Sequence, residues 1–453
     1  MFLVENQDFM RILIYSYNYY PEPIGIAPLM TQLAEGLVKR GHEVRVVTGM
    51  PNYPQRIVYE DYKGKFFCQE EHNGVLIQRS YVWVRPKPGL VTRVFLDGSF
   101  VLTSMIQALR GWKPDIVLLT IPPLPICIPA ALLGFIYSCP VVLSLQDILP
   151  EAAVQVGLIK NKLAIRVFEA LERFAYYSAD AISVITDGFT KNLLKKGVPR
   201  EKMTCIPNWV DVNEITPLPK VNNSFRQTHN LDGKFVVMYS GNIALTQGLM
   251  TVIHAAQALQ HIPDLVFVIV GEKKAITVLE KACLELGTTN VKLLEFQPRK
   301  VLPQMLAAAD VGLIVQKANV VSFNMPSKTQ VLLASGRAII ASVPTQGTAA
   351  DAVRRSGGGI VVPPESPPTL ANAILDLYNN PRKAELLGRQ GRQHALEQYS
   401  FEEAVNRYER LFEDTLDQRT PAEKTAVPSL NLASATQGKS LEDVPSLSPI
   451  SKP

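Results

Sequence analysis

Apolar positions along the chain fall into short runs that alternate with longer amphipathic stretches. In the first half, the β-branched runs predict strands at 11–15, 43–48, 75–80, 116–120, 141–145, 181–184 and 203–206, and the amphipathic stretches 28–40, 92–110 and 163–177 predict helices. Because the strands are uniformly apolar and alternate with helices, they indicate a parallel sheet that is covered on both faces.

The same pattern begins again in the second half. Strands are predicted at 235–240, 265–270, 291–294, 311–314, 338–341 and 359–362, and helices at 248–259, 275–285, 301–308, 328–334 and 367–377. The polar, proline-bearing stretch 211–232 between the halves is interpreted as a linker. We therefore predict an α/β protein of two doubly wound, Rossmann-like domains that face each other across a cleft.

Length and composition set the domain limits. A chain of 453 residues is too long for one ordinary core, so we expect a first domain over 10–210 and a second over 211–395. An amphipathic helix in 396–418 is expected to pack back on the first domain, and 419–453, which lacks an apolar period, is interpreted as a disordered tail. Residues 1–9 have no basic n-region, so they do not resemble a signal peptide, and the start at Met1 or at Met10 stays open.

The overall charge and the cysteine and histidine spacing exclude several classes of protein. A net charge of +5 is compatible with an anionic ligand or membrane surface but is too small to indicate nucleic-acid binding. The 5 cysteines have no CxxC spacing, which favours a reduced, cytosolic protein. The histidines lack ligand spacing and no Asp-x-Asp motif is present, so neither a metal site nor a cofactor is expected.

One segment, 116–145, is apolar enough to suggest a membrane span. Five prolines interrupt it, at positions 122, 123, 125, 129 and 140, and a span needs about 20 consecutive apolar residues. We interpret it instead as a buried strand, a loop, a buried helix and a second buried strand.

Two loops of the first half carry candidate catalytic residues. Gly25 and Ile26 precede the first helix, where glycine lets backbone amides approach an anion, although Gly25 could equally close a tight turn. Asp147 follows a buried strand, where it could orient or deprotonate an acceptor hydroxyl, or could cap the next helix. No GxGxxG motif occurs, which argues against a dehydrogenase.

Loops of the second half carry candidate donor-binding residues. One loop has two glycines, small polar residues and a helix start, which suits a diphosphate resting on backbone N–H groups. A charged loop later in the chain could reach a ribose or phosphate, or could be an exposed turn. A lysine in the first turn of a helix is unfavourable against the helix dipole, and an anion beside it would explain its presence. These residues are Gly241, Asn242, Gln247 and Gly248; Gly271 and Glu272; and Ser327 and Lys328.

These loops, in this order, resemble a known family. Residues 10–416 are similar to the family 4 glycosyltransferases of GT-B fold, and within them to the bacterial exopolysaccharide, colanic-acid-type branch. The resemblance places Gly25–Ile26 at the donor sugar and phosphates, Gln146-Asp147 beside the acceptor, and Gln297 in the loop that contacts the base. It rests on these segments and on Pro207-Asn208-Trp209-Val210-Asp211, Gly271-Glu272, Phe296-Gln297-Pro298 and Met325-Pro326-Ser327-Lys328.

The chain departs from the family pattern at several positions. Asn242 and Gln247 stand where many members carry Arg and Lys, and Phe323 and Val331 stand where many carry two glutamates. Gln146 replaces the histidine of the His-Asp pair. The resemblance thus implies either that Lys328 and backbone amides hold the diphosphate or that the chain has lost activity.

The resemblance implies a retaining, metal-independent transfer from a UDP-sugar to a hydroxyl of a glycan or a polyprenyl-diphosphate-linked acceptor. Two alternatives are an inactive sugar-nucleotide-binding subunit of a polysaccharide assembly complex and a GT-B-fold nucleotide-sugar epimerase. Basic residues of the first domain either form an ordinary solvated face or hold a cytoplasmic protein at the inner face of the plasma membrane. They are Lys160, Lys162, Arg166, Arg173, Lys191, Lys195 and Lys196.

Overall fold

The structure is a computed structural model that describes most of the chain between residues 9 and 419. The ranges not described within it are 24, 87–88, 149–150, 152–160, 245, 321–322 and 324. The expected tail, beyond Arg419, and Lys160 lie outside the described residues.

The first domain is a Rossmann-like layer of strands with helices on both faces. Its strands are β1 (Arg11–Tyr15), β2 (Glu43–Gly49), β3 (Phe67–His72), β4 (Val75–Ser80), β5 (Ile116–Ile121), β6 (Val141–Leu145), β7 (Ala181–Val184) and β8 (Met203–Cys205). Its helices are α1 (Ala27–Lys39), α2 (Leu90–Ala108), α3 (Cys127–Tyr137), α4 (Lys162–Ser178) and α5 (Asp187–Lys195). The eight strands form one sheet in the order β3-β4-β2-β1-β5-β6-β7-β8, parallel except for β3.

The second domain repeats this architecture with a fully parallel sheet. Its strands are β9 (Phe235–Ser240), β10 (Leu265–Gly271), β11 (Val291–Glu295), β12 (Val311–Val315), β13 (Ala338–Ser342) and β14 (Gly359–Val362), in the order β11-β10-β9-β12-β13-β14. Its helices are α6 (Ser224–Thr228), α7 (Met250–Ala258), α8 (Lys273–Glu285), α9 (Leu302–Ala308), α10 (Lys328–Ala334), α11 (Thr348–Ser356), α12 (Pro367–Asn379) and α13 (Pro381–Gln398). The predicted fold class, two doubly wound α/β domains, is confirmed.

The predicted strands are all present, but the sequence pattern missed β3. That strand reads FCQEEH and lies at the edge of the sheet, where polar residues face solvent and no apolar run is needed. The antiparallel ladder to β4 and an ion pair between Glu70 and Arg79 hold it in place. Part of 211–232, interpreted as a linker, belongs to the second domain, because Phe225 and Leu231 are buried against β9.

The apolar segment 116–145 forms β5, α3 and β6, as the interpretation of a buried strand, helix and strand predicted. Each of these strands is fully buried, because helices cover both faces of the sheet. Across the described ranges, no helix has both the length and the apolar character needed to cross a membrane.

A last helix, α14 (Phe401–Asp417), leaves the second domain and packs on the first. Gly36 of α1 leaves room for this crossing, since a Cβ there would lie 2.6 Å from the ring of Phe401. Tyr408 is fully buried beneath the sheet and its hydroxyl lies 3.0 Å from Ser144 Oγ. Glu409, also buried, binds Arg40 and lies 3.1 Å from His42 Nε2.

The two domains also contact each other through Phe323 and through an ion pair. Phe323, from the loop after β12, joins the apolar core of the first domain, and its ring packs edge-on against Phe189 at 5.7 Å between centroids. Asp187 pairs with Arg355 across the same contact. Gly188 permits the approach, because a Cβ there would lie 2.8 Å from the Phe323 Cα.

We expect Glu409→Ala to lower the free energy of unfolding by about 3 kcal/mol, because it leaves Arg40 without its buried carboxylate partner. Glu402→Ala is the matched control: Glu402 also pairs with Arg40, at 2.9 Å, but its side chain is 77% exposed. The control should cost less than about 1 kcal/mol. Urea unfolding of the three proteins measures the difference, and equal losses would contradict the anchoring role of Glu409.

Candidate active site

The order of the strands places one switch point in each sheet, and several of the candidate residues follow the strands that flank these points, among them Gly25 after β1, Gly241 after β9 and Lys328 after β12. In the first sheet β2 to β4 lie on one side of β1, and β6 to β8 lie on the other side of β5. In the second sheet β10 and β11 lie on one side of β9, and β13 and β14 lie on the other side of β12. Loops at the carboxyl ends of such strands leave a crevice between them, which is where open α/β sheets bind ligands.

A pocket of about 340 Å³ opens at the first of these points. Gly25 and Ile26, after β1, and Asp147, after β6, all line it, so the structure brings the three predicted catalytic residues together. The other lining residues are Asn18, Leu29, Tyr53, Pro122, Gln146 and Asn208.

The loop that carries Gly25 is held by a buried carboxylate. Glu22 accepts hydrogen bonds from the backbone N–H groups of Asn52 and Tyr53, at 2.7 and 2.8 Å, and from the Asn18 amide at 2.6 Å. Burial raises the pKa of Glu22, although these hydrogen bonds oppose the shift. Gly25 has a φ of +74°, a conformation that favours glycine, which gives it a conformational role as well as a place in the pocket.

Asp147 is half-buried, and burial raises the pKa of its carboxyl while a hydrogen bond from the Ile148 backbone opposes the rise. Its neighbour Gln146 is fixed from both sides. Gln146 Nε2 donates to Ser144 Oγ at 3.1 Å, and Gln146 Oε1 accepts from Asn208 Nδ2 at 2.9 Å. Because Ser144 also contacts Tyr408 of α14, the crossing helix supports the Asp147 loop.

At the second switch point lies a buried lysine. Lys328 Nζ is buried, and the described residues offer it no hydrogen-bond partner. It lies 3.5 Å from the centroid of the Tyr239 ring, a cation–π contact. Burial lowers the pKa of Lys328 to about 7. A desolvated ammonium group without a counterion is a strong site for an anion.

Gly241 forms the wall beside this ammonium. A Cβ at Gly241 would lie 3.0 Å from Lys328 Nζ, and its φ of +140° is one that side chains rarely adopt. The Tyr239 hydroxyl donates to the Asn242 carbonyl at 2.7 Å, so the aromatic residue beneath the lysine also shapes the loop. Tyr239 was missed by the sequence analysis, because a tyrosine inside an apolar strand reads as core.

The rest of this loop contacts Lys317, a second residue that the sequence pattern did not single out. Gly248 has a φ of +60°, and a Cβ there would lie 3.2 Å from Lys317 Cγ. The backbone N–H of Lys317 donates to the Thr246 carbonyl at 2.9 Å. The Gln247 side chain is half-buried, 3.5 Å from the Tyr239 hydroxyl, so Asn242, Gln247 and Gly248 belong to the Tyr239–Lys328 region.

The remaining predicted donor residues line the same edge of the sheet. Gly271 leaves room for the side chain of Ile243. A Cβ at position 271 would lie 2.3 Å from Ile243 Cδ1, so packing favours glycine there. Glu272 is exposed at the start of α8, and Ser327 is exposed at the start of α10. Gln297 follows β11 and donates to the Glu295 carbonyl at 2.9 Å.

Phe323 and Val331, at the two positions where the resemblance implies glutamates, both have apolar surroundings. Phe323 packs into the first domain, and Val331 packs against a core cluster of the second. These positions therefore offer no carboxylate to a ligand, whereas the glutamates implied by the resemblance would do so. Over the part of the chain that is described, His, Cys, Asp and Glu side chains do not gather in groups of three or more as metal ligands would.

Sequence comparisons cover both domains. The family described as "Glycosyl transferase 4-like domain" matches residues 25–209, and that described as "Glycosyl transferases group 1" matches residues 221–394. The chain belongs to the family 4 glycosyltransferases of GT-B fold. One relative, described as the putative colanic acid biosynthesis glycosyl transferase WcaI of Escherichia coli K12, is 34% identical over 340 residues, which cover 73% of this chain and 83% of that protein.

Two further proteins are similar to this glycosyltransferase in sequence or in structure. A GDP-mannose-dependent alpha-mannosyltransferase of Mycobacterium tuberculosis is 26% identical over 52% of this chain and 56% of that protein. The Anabaena protein HepE, solved in complex with UDP-glucose, superposes with a TM-score of 0.62 over 90% of this chain and 100% of that one, at 19% identity. The last likeness shows the shared fold.

We expect Lys328→Met to stabilise the ligand-free protein at pH 6 by about 2–5 kcal/mol, because it removes a buried unpaired charge. The folded-state pKa of Lys328 is about 7, below its ordinary 10.5. Between these values only the unfolded chain carries the proton, so wild-type stability rises with pH and the gap closes.

Denaturant unfolding at pH 6 and at pH 9.5 measures this gap. The matched control is Lys281→Met, at an exposed position of α8, which should leave stability nearly unchanged at both values. A wild type as stable as Lys328→Met at pH 6 would mean that the ammonium is not desolvated.

Proposed function

We propose that the protein transfers a sugar from a nucleotide diphosphate donor to a hydroxyl of a glycan or lipid-linked glycan acceptor, in exopolysaccharide or cell-envelope synthesis. The observation that carries the proposal is the buried Lys328 ammonium beside the glycine loop after β9, for which the described residues offer no hydrogen-bond partner. In this proposal 10–210 takes the acceptor, 211–395 takes the donor, and 396–418 ties them together.

The chemistry follows from where the charges lie. The bond between the anomeric carbon and the β-phosphate oxygen breaks, and the diphosphate leaves with both electrons and gains negative charge. Lys328 and the backbone amides after Gly241 stabilise that charge without a metal ion. The acceptor oxygen bonds the same face of the anomeric carbon, so configuration is retained, and its proton passes to the departing phosphate oxygen.

Asp147 acts on the acceptor side. Its carboxylate accepts a hydrogen bond from the attacking hydroxyl and orients it in the pocket that also contains Gly25 and Ile26. Because burial raises the pKa of this carboxyl, its charged form is less well solvated and a hydroxyl donor is a favourable partner.

The donor in this proposal is a UDP-sugar. HepE, of the same fold, was solved with UDP-glucose, whereas the mycobacterial relative is described as GDP-mannose-dependent. Gln297 and Glu272, after neighbouring strands, would contact the base and the ribose. Thermal-shift measurements with UDP, GDP and ADP discriminate the three, and stabilisation by GDP alone would exclude a UDP donor.

The place of action is the cytoplasmic face of the plasma membrane, with a polyprenyl-diphosphate-linked sugar as acceptor. This rests on the basic side chains of α4 and α5, and on WcaI being described as a colanic acid biosynthesis enzyme. An inactive sugar-nucleotide-binding subunit is the rival from another class, favoured by the lost family residues at 242, 247, 323 and 331. Slow hydrolysis of the bound donor would separate the enzyme from the inactive subunit.

We expect Lys328→Ala to weaken UDP binding by about tenfold to a hundredfold, the loss of one charge-assisted contact of roughly 1.5–3 kcal/mol. Lys328→Arg should restore binding only in part, because the guanidinium has a different shape and reach. In the wild type, affinity should fall as pH rises above 7, because the free lysine loses its proton near that value.

Calorimetry with UDP measures these affinities, and Lys281→Ala serves as the exposed-lysine control. Equal affinity of the wild type and Lys328→Ala would exclude Lys328 from the donor site. The fall in affinity above pH 7 should be weaker in Lys328→Ala than in the wild type, because the titration of the UDP phosphate is common to both proteins and only the contribution of Lys328 is lost.

We expect Asp147→Asn to lower turnover about a hundredfold while UDP affinity changes less than about twofold, because the side chain acts on the acceptor. UDP release from a UDP-sugar and UDP calorimetry give the two quantities. Unchanged turnover would reduce Asp147 to a structural residue of its loop.

A further inference from the structure

Three neighbouring helices of the first domain, α2, α3 and α4, carry large apolar side chains on their solvent side. They cover one face of the sheet, and α1 and α14 cover the other. α3 lies between its neighbours: the Tyr137 hydroxyl donates to the Ala108 carbonyl at 3.3 Å, and Cys127 Sγ lies 4.0 Å from the Leu171 carbonyl. The outer sides of the three helices therefore form one continuous surface.

α4 is apolar on two opposite sides. One side packs into the domain through Ala175 and Tyr176. On the other side, which faces solvent, apolar residues recur at i, i+4, i+11 and i+14, the period of a helix. These residues and their exposed fractions are Leu163 70%, Val167 51%, Phe174 40% and Tyr177 82%. A single domain can bury only one of these sides.

α2 and α3 repeat this arrangement. α3 has no charged residue at all, and its outer side shows Ile128, Leu132, Phe135 and Ile136, of which Phe135 is 69% exposed. α2 shows Phe95, Leu102, Ile106 and Leu109, at i, i+7, i+11 and i+14, of which Leu102 is 72% exposed. Contiguous apolar surface of this kind marks an interaction site.

The charges on α4 indicate the partner. Its exposed basic residues, Lys162, Arg166 and Arg173, each directly precede a member of the apolar stripe and so lie along one flank of it. Glu172 is buried and paired with Lys196, which leaves Glu169 as the exposed acid of this helix. An apolar stripe with a basic flank matches the acyl and headgroup layers of an anionic bilayer.

We propose that the outer surface of α2, α3 and α4 docks on a bilayer that contains anionic lipids, with its apolar stripes in the acyl boundary. The proposal deepens the proposed function, because it names the residues that hold the acceptor-side domain at a lipid-linked acceptor. Binding to vesicles needs no nucleotide, however, so it can be tested apart from the donor site.

The experiment is co-sedimentation of the full chain with phosphatidylcholine vesicles that contain or lack phosphatidylglycerol. We expect Leu132→Glu/Phe135→Glu to weaken binding by at least about tenfold, since two inserted side chains are lost. The matched control is Val278→Glu/Leu284→Glu, two residues of α8 that are 63% and 82% exposed and lie in the second domain. The control should bind like the wild type.

A second variant tests the charge complementarity. Lys162→Gln/Arg166→Gln/Arg173→Gln should bind the anionic vesicles about a hundredfold less tightly, at about 1 kcal/mol for each charge, and should respond little to added salt. Binding to vesicles without phosphatidylglycerol should be weak for both proteins.

Three outcomes would overturn the proposal. The wild type could fail to sediment with anionic vesicles, or the variants in α3 and α4 could bind as well as the wild type. Alternatively, the wild type could be a dimer by analytical ultracentrifugation that Leu132→Glu/Phe135→Glu makes monomeric without any vesicle binding, which would make the surface a contact between copies. UDP calorimetry on the same variants should be unchanged, so failure of docking and failure of the donor site are distinguishable.

Discussion

Burial of the Lys328 ammonium, with no counterion among the described residues, is the constraint on which the loop after β9 depends. The charge can be kept only beside groups that tolerate it, which are the face of the Tyr239 ring and a backbone without a side chain at Gly241. The Tyr239 hydroxyl in turn fixes the Asn242 carbonyl. A loop arranged in this way could receive the diphosphate of the proposed donor without rearranging, at a cost in stability to the ligand-free protein.

This arrangement is how the proposed donor site could keep a positive charge although the loop itself carries no Arg or Lys. Asn242 and Gln247 are uncharged, and among the described residues Lys328 and Lys317 approach the glycines of this loop. Phe323, in place of a glutamate, is used for contact between the domains, where it packs on Phe189. In this chain the position therefore makes an apolar contact between the two domains.

The first domain depends on a support from outside itself. Tyr408 of α14 reaches Ser144, Ser144 holds Gln146, and Gln146 holds Asn208, so a helix that follows the second domain shapes the pocket of the first. Glu409 in the next position binds Arg40 and His42, which fixes the helix on α1. The pocket and the link between the domains therefore rely on the same helix.

The sequence by itself determined the two largely parallel sheets, nearly all their strands, and the loops that carry the candidate site residues, because apolar period and chain order are local properties. It missed β3, a polar edge strand that is specified by pairing with β4, and it did not single out Tyr239, which lies inside an apolar strand. Only the tertiary structure decided that Lys328 is desolvated, that Gly271 makes room for Ile243, and that α2, α3 and α4 leave apolar sides uncovered. Burial and contact between distant segments depend on how elements pack, and no pattern along a single chain records that.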